Sequence, residues 1–212
     1  MFIDHHEFLQ EDRSVTKLAE RKRPSPSMTD EQIQKSSVGE LKPFDSTITL
    51  VEYDRLWPEN FAREAKRIRA ALGERAIIVE HIGSTSVPGL VAKPIIDILL
   101  SVANSADEPS YVPALEAAGY VLRIREPDWH QHRLFKGPDT NINLHVLTQG
   151  SEEILRTLTL RDWLRTNEPD RELYARSKRD LASKKWKYVQ NYADAKTAVI
   201  EEILERAKAS SG

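Results

Sequence analysis

The chain contains no cysteine. That excludes disulfides, thiolate metal sites and cysteine nucleophiles, and it fits a cytoplasmic setting. No apolar run approaches the roughly 20 residues a membrane helix needs, and the N-terminus lacks a secretory apolar core, so the expectation is a soluble protein away from the membrane. Charge of one sign is also missing. With 31 basic against 33 acidic residues in 212, no global field favours nucleic acid or an anionic surface. Large apolar residues are scarce from residue 1 to 45, where a polar segment of mixed charge shows no sustained periodicity. Burial there cannot offset ordering entropy, so a largely disordered or loosely packed extension is expected, followed by one domain over 46–208. Met28 is the only methionine after Met1, which makes the first 27 residues a candidate extension to the native start.

What remains is patterned. Pro58 suits a first helical turn, Phe61, Ala65, Ile68 and Leu72 follow at helical spacing, and Gly73 stops the run. The stretch RAIIVEHIG reads as a strand, and KPIIDILLSV as a second whose near-continuous apolarity predicts an interior position covered on both faces. SYVPALEAAGY predicts a helix ended by Gly119. YVLRIR, HQHRLFKG and NINLHVLT predict three strands, the last two joined through Gly137, Pro138 and Asp139. From Ser151 onward the pattern is helical, with Ser151 and Asn167 as N-caps and a last helix carrying Tyr192, Val199, Ile200, Ile203 and Leu204. The fold class expected is α+β, an α/β sandwich with a mixed, partly antiparallel sheet of about five strands and a C-terminal helical segment.

Three stretches carry candidate chemistry. In VEHIGSTSVPGLVAKPIIDILL a strand ends in Gly83 and the hydroxyls Ser84, Thr85 and Ser86, where backbone N–H and side-chain O–H groups can meet phosphate oxygens. Gly83 would let a ligand approach the backbone. Asp97, alone among apolar residues on the next strand, stands where a divalent cation bridging those phosphates would need a hard oxygen ligand. Alternation puts Asp97 and Leu99 on one face, with Ile96, Ile98 and Leu100 on the other. In HQHRLFKG, His130 and His132 fall two apart, with Arg133 and Lys136 adding positive charge. In NINLHVL the non-core face reads Asn141, Asn143, His145, which resembles a lining more than a solvated face. Each has a plain alternative: an ordinary turn, an acid paired with a buried arginine, structural histidines. The basic runs RDWLRT and RSKRDLASKKWK read as solvated helix faces or, as a lid, could bring Arg161, Lys178 or Lys187 to an anion.

EHIGSTSVPGLVAKPIIDI, with WPENFAREAKRI, HRLFKGPDTNINLHV and RDWLRTNEPDRELYARSKRDLA in order, resembles the GrpB family, also catalogued as UPF0157, from about Thr47 to Ala207. That family is similar to the polymerase-β-like nucleotidyltransferases and also occurs fused to dephospho-coenzyme A kinases. The resemblance implies a nucleotidyltransferase-like topology, with Gly83–Ser84 as the strand–helix turn and Asp97 as the first metal carboxylate. Leu99 stands at the second carboxylate position, and Asn143 and His145 near the third. No GxxxxGK[ST] motif is present, so the kinase activity is not implied. Two metals about 3.5–4 Å apart need bridging carboxylates. One Asp with imidazole and amide suits a single Mg, Mn or Zn ion, with Asp97, His145, His130 and His132 as the candidate ligands. The implied enzyme is a divergent nucleotidyltransferase. Ser84, Thr85, Ser86 and Asn143 would hold a nucleotide, Lys93, Arg133 and Lys136 would neutralise its phosphates, and Asp97 and His145 would carry the chemistry. The alternative is a binding or accessory module for a phosphorylated small molecule. A histidine-based hydrolase is a third reading.

Overall fold

The computed structural model describes residues 27–210. Its elements run α1 (Asp30–Ser36), β1 (Ser46–Thr47), α2 (Trp57–Leu72), β2 (Ile78–Ile82), β3 (Ile96–Val102), α3 (Val112–Ala117), β4 (Val121–Glu126), β5 (His132–Lys136), β6 (Ile142–Thr148), α4 (Glu152–Thr166), α5 (Glu168–Ala182), β7 (Lys185–Trp186), α6 (Val189–Ala195) and α7 (Thr197–Ser210). Five strands form one mixed sheet in the order β2-β3-β6-β5-β4, and β1 pairs with β7 in a separate ribbon. The pair β3–β6 is parallel and the other neighbours in the five-stranded sheet are antiparallel. This is the α+β fold expected.

The sheet has helices on both faces. Ile96, Ile98 and Leu100 of β3 are buried with Ala65, Ile68 and Leu72 of α2 and Leu115 of α3. On the other face Leu99 packs with Ile82, Leu147 and Ile154 beneath α4. β3 is therefore dry on both sides apart from Asp97, as its apolar run predicts. A third cluster joins Val87 and Leu90 to Leu164, Tyr174 and Ile203, fastening the C-terminal helices over the connector between β2 and β3.

Several local expectations need correction. Asn167 caps α5, accepting from the Asp170 amide at 3.0 Å, but Ser151 occupies the N-cap of α4 without a capping bond. Its hydroxyl lies 3.4 Å from His130 Nδ1 instead. Replacing Asn167 by Ala should cost about 1 kcal/mol in chemical denaturation, while Ser151→Ala should fall within experimental error. The expected last helix is two helices, broken at Lys196. His130 is not on a strand. It and Gln131 adopt left-handed φ of 51° and 52° in the turn before β5, so His130 and His132 do not share a strand face.

Of the expected extension, residues 1–26, and with them most of the segment preceding Met28, lie outside the described residues. Residues 27–45 carry more order than their composition suggests. Thr29 and Gln32 close a capping box on α1, Ser37 bridges to Ile124, and the Val38 amide donates to the Arg123 carbonyl at 2.8 Å. Among the described residues no helix is long and apolar enough to cross a membrane.

Candidate functional site

The register of the sheet assembles the site. Ile82 faces Asp97 across β2–β3, Asp97 pairs with Asn143 across β3–β6, and Lys136 pairs with Asn143 across β5–β6. Gly83 follows β2 with φ 67°, ψ −171° and turns the chain into a short 3₁₀ segment, Ser84–Ser86. A Cβ on Gly83 would lie 3.0 Å from Asp97 Cβ and 3.1 Å from its Cγ. The space opened by this glycine is filled by Asp97, not kept for a ligand, which corrects the role expected for it.

Asp97, half-buried, accepts from Asn143 Nδ2 at 2.7 Å, and Lys136 Nζ donates to Asn143 Oδ1 at 2.5 Å. His145 Nε2 stands 3.6 Å from the same Asp97 oxygen. Burial works to raise the Asp97 carboxyl, but the facing His145, the hydrogen bond from Asn143 and the charge of Lys93 more than offset it and hold the pKa below the ordinary carboxylate value.

These groups open onto a cavity of about 870 Å³, lined from the sheet by Gly83, Ser84, Asp97, Asn143 and His145 and from the helices by Tyr174, Lys178, Tyr192 and Lys196. That volume lies within the span of about 300–1,000 Å³ usual for small-molecule sites. Residues 33–49, including part of the expected extension, contribute to its wall. Besides the exposed Lys42, four lysines line it: Lys93, Lys136, Lys178 and Lys196. Burial pulls all four pKa values down, that of Lys93 to about 8 and that of Lys178 to about 6. Mutual repulsion adds to the effect, Lys196 acting on Lys93 and Lys178, and Lys93 on Lys136. Lys93 and Lys196 lie 5.6 and 4.8 Å from the Tyr192 ring centroid, and Lys178 hydrogen-bonds the Val91 carbonyl. The Tyr192 hydroxyl is buried and has no hydrogen-bond partner among the described residues.

The structure thus gathers Gly83, Ser84, Lys93, Asp97, Lys136, Asn143 and His145 around one cavity. Thr85 lines it too, but its hydroxyl is taken by His81 Nε2 at 3.0 Å. His81 stacks on Phe61, and burial lowers its pKa to about 4, leaving a neutral ring. Ser86 is withdrawn, with its hydroxyl donating to the Gly83 carbonyl at 2.6 Å. Arg133 is not a phosphate group of this site: it points to the other face of β5, where Nε donates to Glu108 at 2.7 Å. Of the proposed metal ligands, His130 sits in the turn against Ser151, and among the described residues no three His, Cys, Asp or Glu side chains gather as a cation site. Arg161 lines the cavity but pairs with Glu80 at 2.7 Å, and Lys187 pairs with Asp30. Of the three lid cations, Arg161 and Lys187 are paired with carboxylates, whereas Lys178 donates to the neutral Val91 carbonyl.

Lys196, Tyr174 and Tyr192 were missed by sequence reasoning. Lys178 was legible in principle. Tyr174, Lys178 and Ala182 recur at i, i+4 and i+8 and are all buried, so the lysine sits on the inward stripe of α5.

The sequence profile of the GrpB protein family matches residues 47–206. The chain belongs to the GrpB family. Among GrpB relatives, a UPF0157 protein from Halalkalibacterium halodurans is 62% identical over 88% of this chain and 95% of its own length. The crystal structure of the conserved protein GrpB from Enterococcus faecalis matches with a TM-score of 0.66 and 33% identity, covering 77% of this chain and 99% of that one. A dephospho-CoA kinase from Mycolicibacterium paratuberculosis is 27% identical over 76% of this chain but only 46% of its own length, so the GrpB-like part is under half of that protein.

Proposed function

We propose that the cavity binds a phosphorylated small molecule, a nucleotide or coenzyme-like nucleotide being the favoured class. The phosphate lies between the Ser84 turn and the lysines. The observation that carries this is the basic wall of the cavity: four buried lysine side chains, Lys93, Lys136, Lys178 and Lys196, converge near the Asp97 carboxylate. Burial depresses the pKa of each, with mutual repulsion adding at Lys93, Lys136 and Lys178, and a phosphate dianion would favour the protonated forms while accepting charge-assisted hydrogen bonds. The unpartnered Tyr192 hydroxyl is a further donor awaiting an acceptor. The dephospho-CoA kinase named among the relatives acts, by its name, on a molecule of this class.

Nucleotidyl transfer through a pair of divalent cations does not fit these residues. Leu99 is fully buried in an apolar cluster where a second carboxylate would stand. Asn143 already donates to Asp97, and the surrounding lysines repel a dication. No step is derived through a metal. The reading is that of a binding module with one acid–imidazole pair, Asp97 and His145, beside the anion.

Thermal-shift titration with inorganic phosphate, ATP and coenzyme A tests it. Melting should rise with free ligand, reaching about 2.7 kcal/mol of stabilisation at a hundredfold excess over Kd. Lys136→Gln should weaken binding about tenfold, near 1.4 kcal/mol. If no phosphorylated compound moves the melting curve, the reading is lost.

A further inference from the structure

On the cavity wall, which includes both Glu126 and His145, three titratable side chains stand in line across neighbouring strands. Glu126 ends β4, His132 opens β5 and His145 lies in β6. Glu126 Oε2 is 2.7 Å from His132 Nδ1, and His132 Nε2 is 3.1 Å from His145 Nδ1. The two imidazoles stack at 5.2 Å, and the Trp129 ring closes on His132 edge-on at the same centroid distance. Exposure rises along the line, from 10% and 5% at Glu126 and His132 to 28% and 29% at His145 and Asp97. It runs from a dry end to a wet one.

Hydrogen-bond direction then follows from donor inventory. The Glu126 carboxylate accepts, so His132 Nδ1 donates to it. A neutral His132 keeps its lone pair on Nε2 and accepts from His145 Nδ1–H. The bare nitrogen of His145 is then Nε2, the one on the Asp97 side of the ring. We propose that Glu126 and His132 are positioning residues that fix His145 as its Nδ1–H tautomer, with Nε2 presented to the cavity as proton acceptor for a hydroxyl or amine of the bound molecule. In that step the ligand O–H or N–H bond breaks with its electron pair left on the ligand oxygen or nitrogen as a nucleophile, the proton forms a bond to His145 Nε2, and the imidazolium charge faces the Asp97 carboxylate 3.6 Å away, with no change of oxidation state.

The proton step rests on the anion-binding reading for its ligand; the tautomer does not, so the two fail separately. The test is side-chain ¹⁵N NMR of the full chain, histidine-labelled and ligand-free, at a pH well above the ordinary imidazole range. Expected is a protonated Nδ1 and a bare Nε2 on His145. Glu126→Gln, whose amide oxygen still accepts, should keep that pattern. Glu126→Ala should release it, drawing the two nitrogen shifts of His145 toward one averaged value. An Nε2–H His145 in the unsubstituted protein overturns the proposal, and needs no variant that might fail to fold. So does a folded Glu126→Ala protein, judged by its backbone amide spectrum, in which the His145 shifts are unchanged.

Discussion

Gly83→Ala should lower stability by about 3 kcal/mol, equivalent to a drop of about 10 °C in melting temperature for a chain of this size. Two effects add. The backbone at φ 67°, ψ −171° is open to glycine and strained for any residue with a Cβ. The new methyl group would also press against Asp97, whose Cβ and Cγ are 3.0 and 3.1 Å away. Asp97 cannot withdraw freely, because Asn143 holds it at 2.7 Å and its neighbours on β3 are packed. Combining Gly83→Ala with Asp97→Ala should recover part of the loss, since the carboxylate contacts go while the Cβ contact and the backbone strain remain. A double-mutant cycle followed by denaturation should give a coupling of roughly 1 kcal/mol. Strict additivity would mean that the glycine serves the turn alone and owes nothing to the acid.

Lys178→Met should have the opposite sign. The side chain is only 2% exposed, it hydrogen-bonds the Val91 carbonyl, and burial brings its pKa down to about 6. The unfolded chain therefore holds a proton that the folded chain releases between about pH 6 and the ordinary lysine range. Stability rises with pH across that window, with a limiting slope of about 1.4 kcal/mol per unit for one proton, and is lowest below it. Lys93, brought down to about 8, steepens the upper part of the window in the same direction. Methionine of similar length removes the penalty, so the variant should melt about 5 °C higher at neutral pH and lose that part of the pH dependence. The same variant should bind phosphate compounds at least tenfold more weakly. Calorimetry of the unsubstituted protein in buffers of different ionisation enthalpy should show proton uptake on binding, as the ligand recharges Lys178. A variant that is both more stable and equally good at binding would show that the buried lysine is no part of the site.

How far the sequence could be read depended on whether the deciding contact was local. β3 was legible because a strand covered on both faces must be apolar throughout, so Asp97 stood out against Ile96, Ile98, Leu99 and Leu100. The meeting of Asp97, Asn143 and His145 followed from alternation along two strands, once those strands were neighbours. His130 was misplaced because the left-handed turn at His130 and Gln131 contains no glycine to mark it. Arg133 was misassigned because strand alternation was not applied to it: one residue from His132 and three from Lys136, it falls on the opposite face, beside Glu108. α1 was invisible for another reason: Ile33 is its one buried residue, and its anchors, Arg123 and Asp194, are distant in sequence. Lys196 carries no local signal, since only the break between α6 and α7 delivers it to the cavity.

The parallel pairing of β3 with β6 has a consequence for how the pocket comes into being. Asp97 and Asn143 are 46 residues apart, and the chain between them must leave the sheet through α3, run out through β4 and return through β5 before the two can meet. No contiguous peptide from this protein can carry the acid and its amide and imidazole neighbours without carrying the whole meander as well. The pocket thus exists only once sequence-distant strands close, and a nick anywhere in that excursion would leave its two halves held by the sheet and by the packing of the C-terminal helices on the β2–β3 connector.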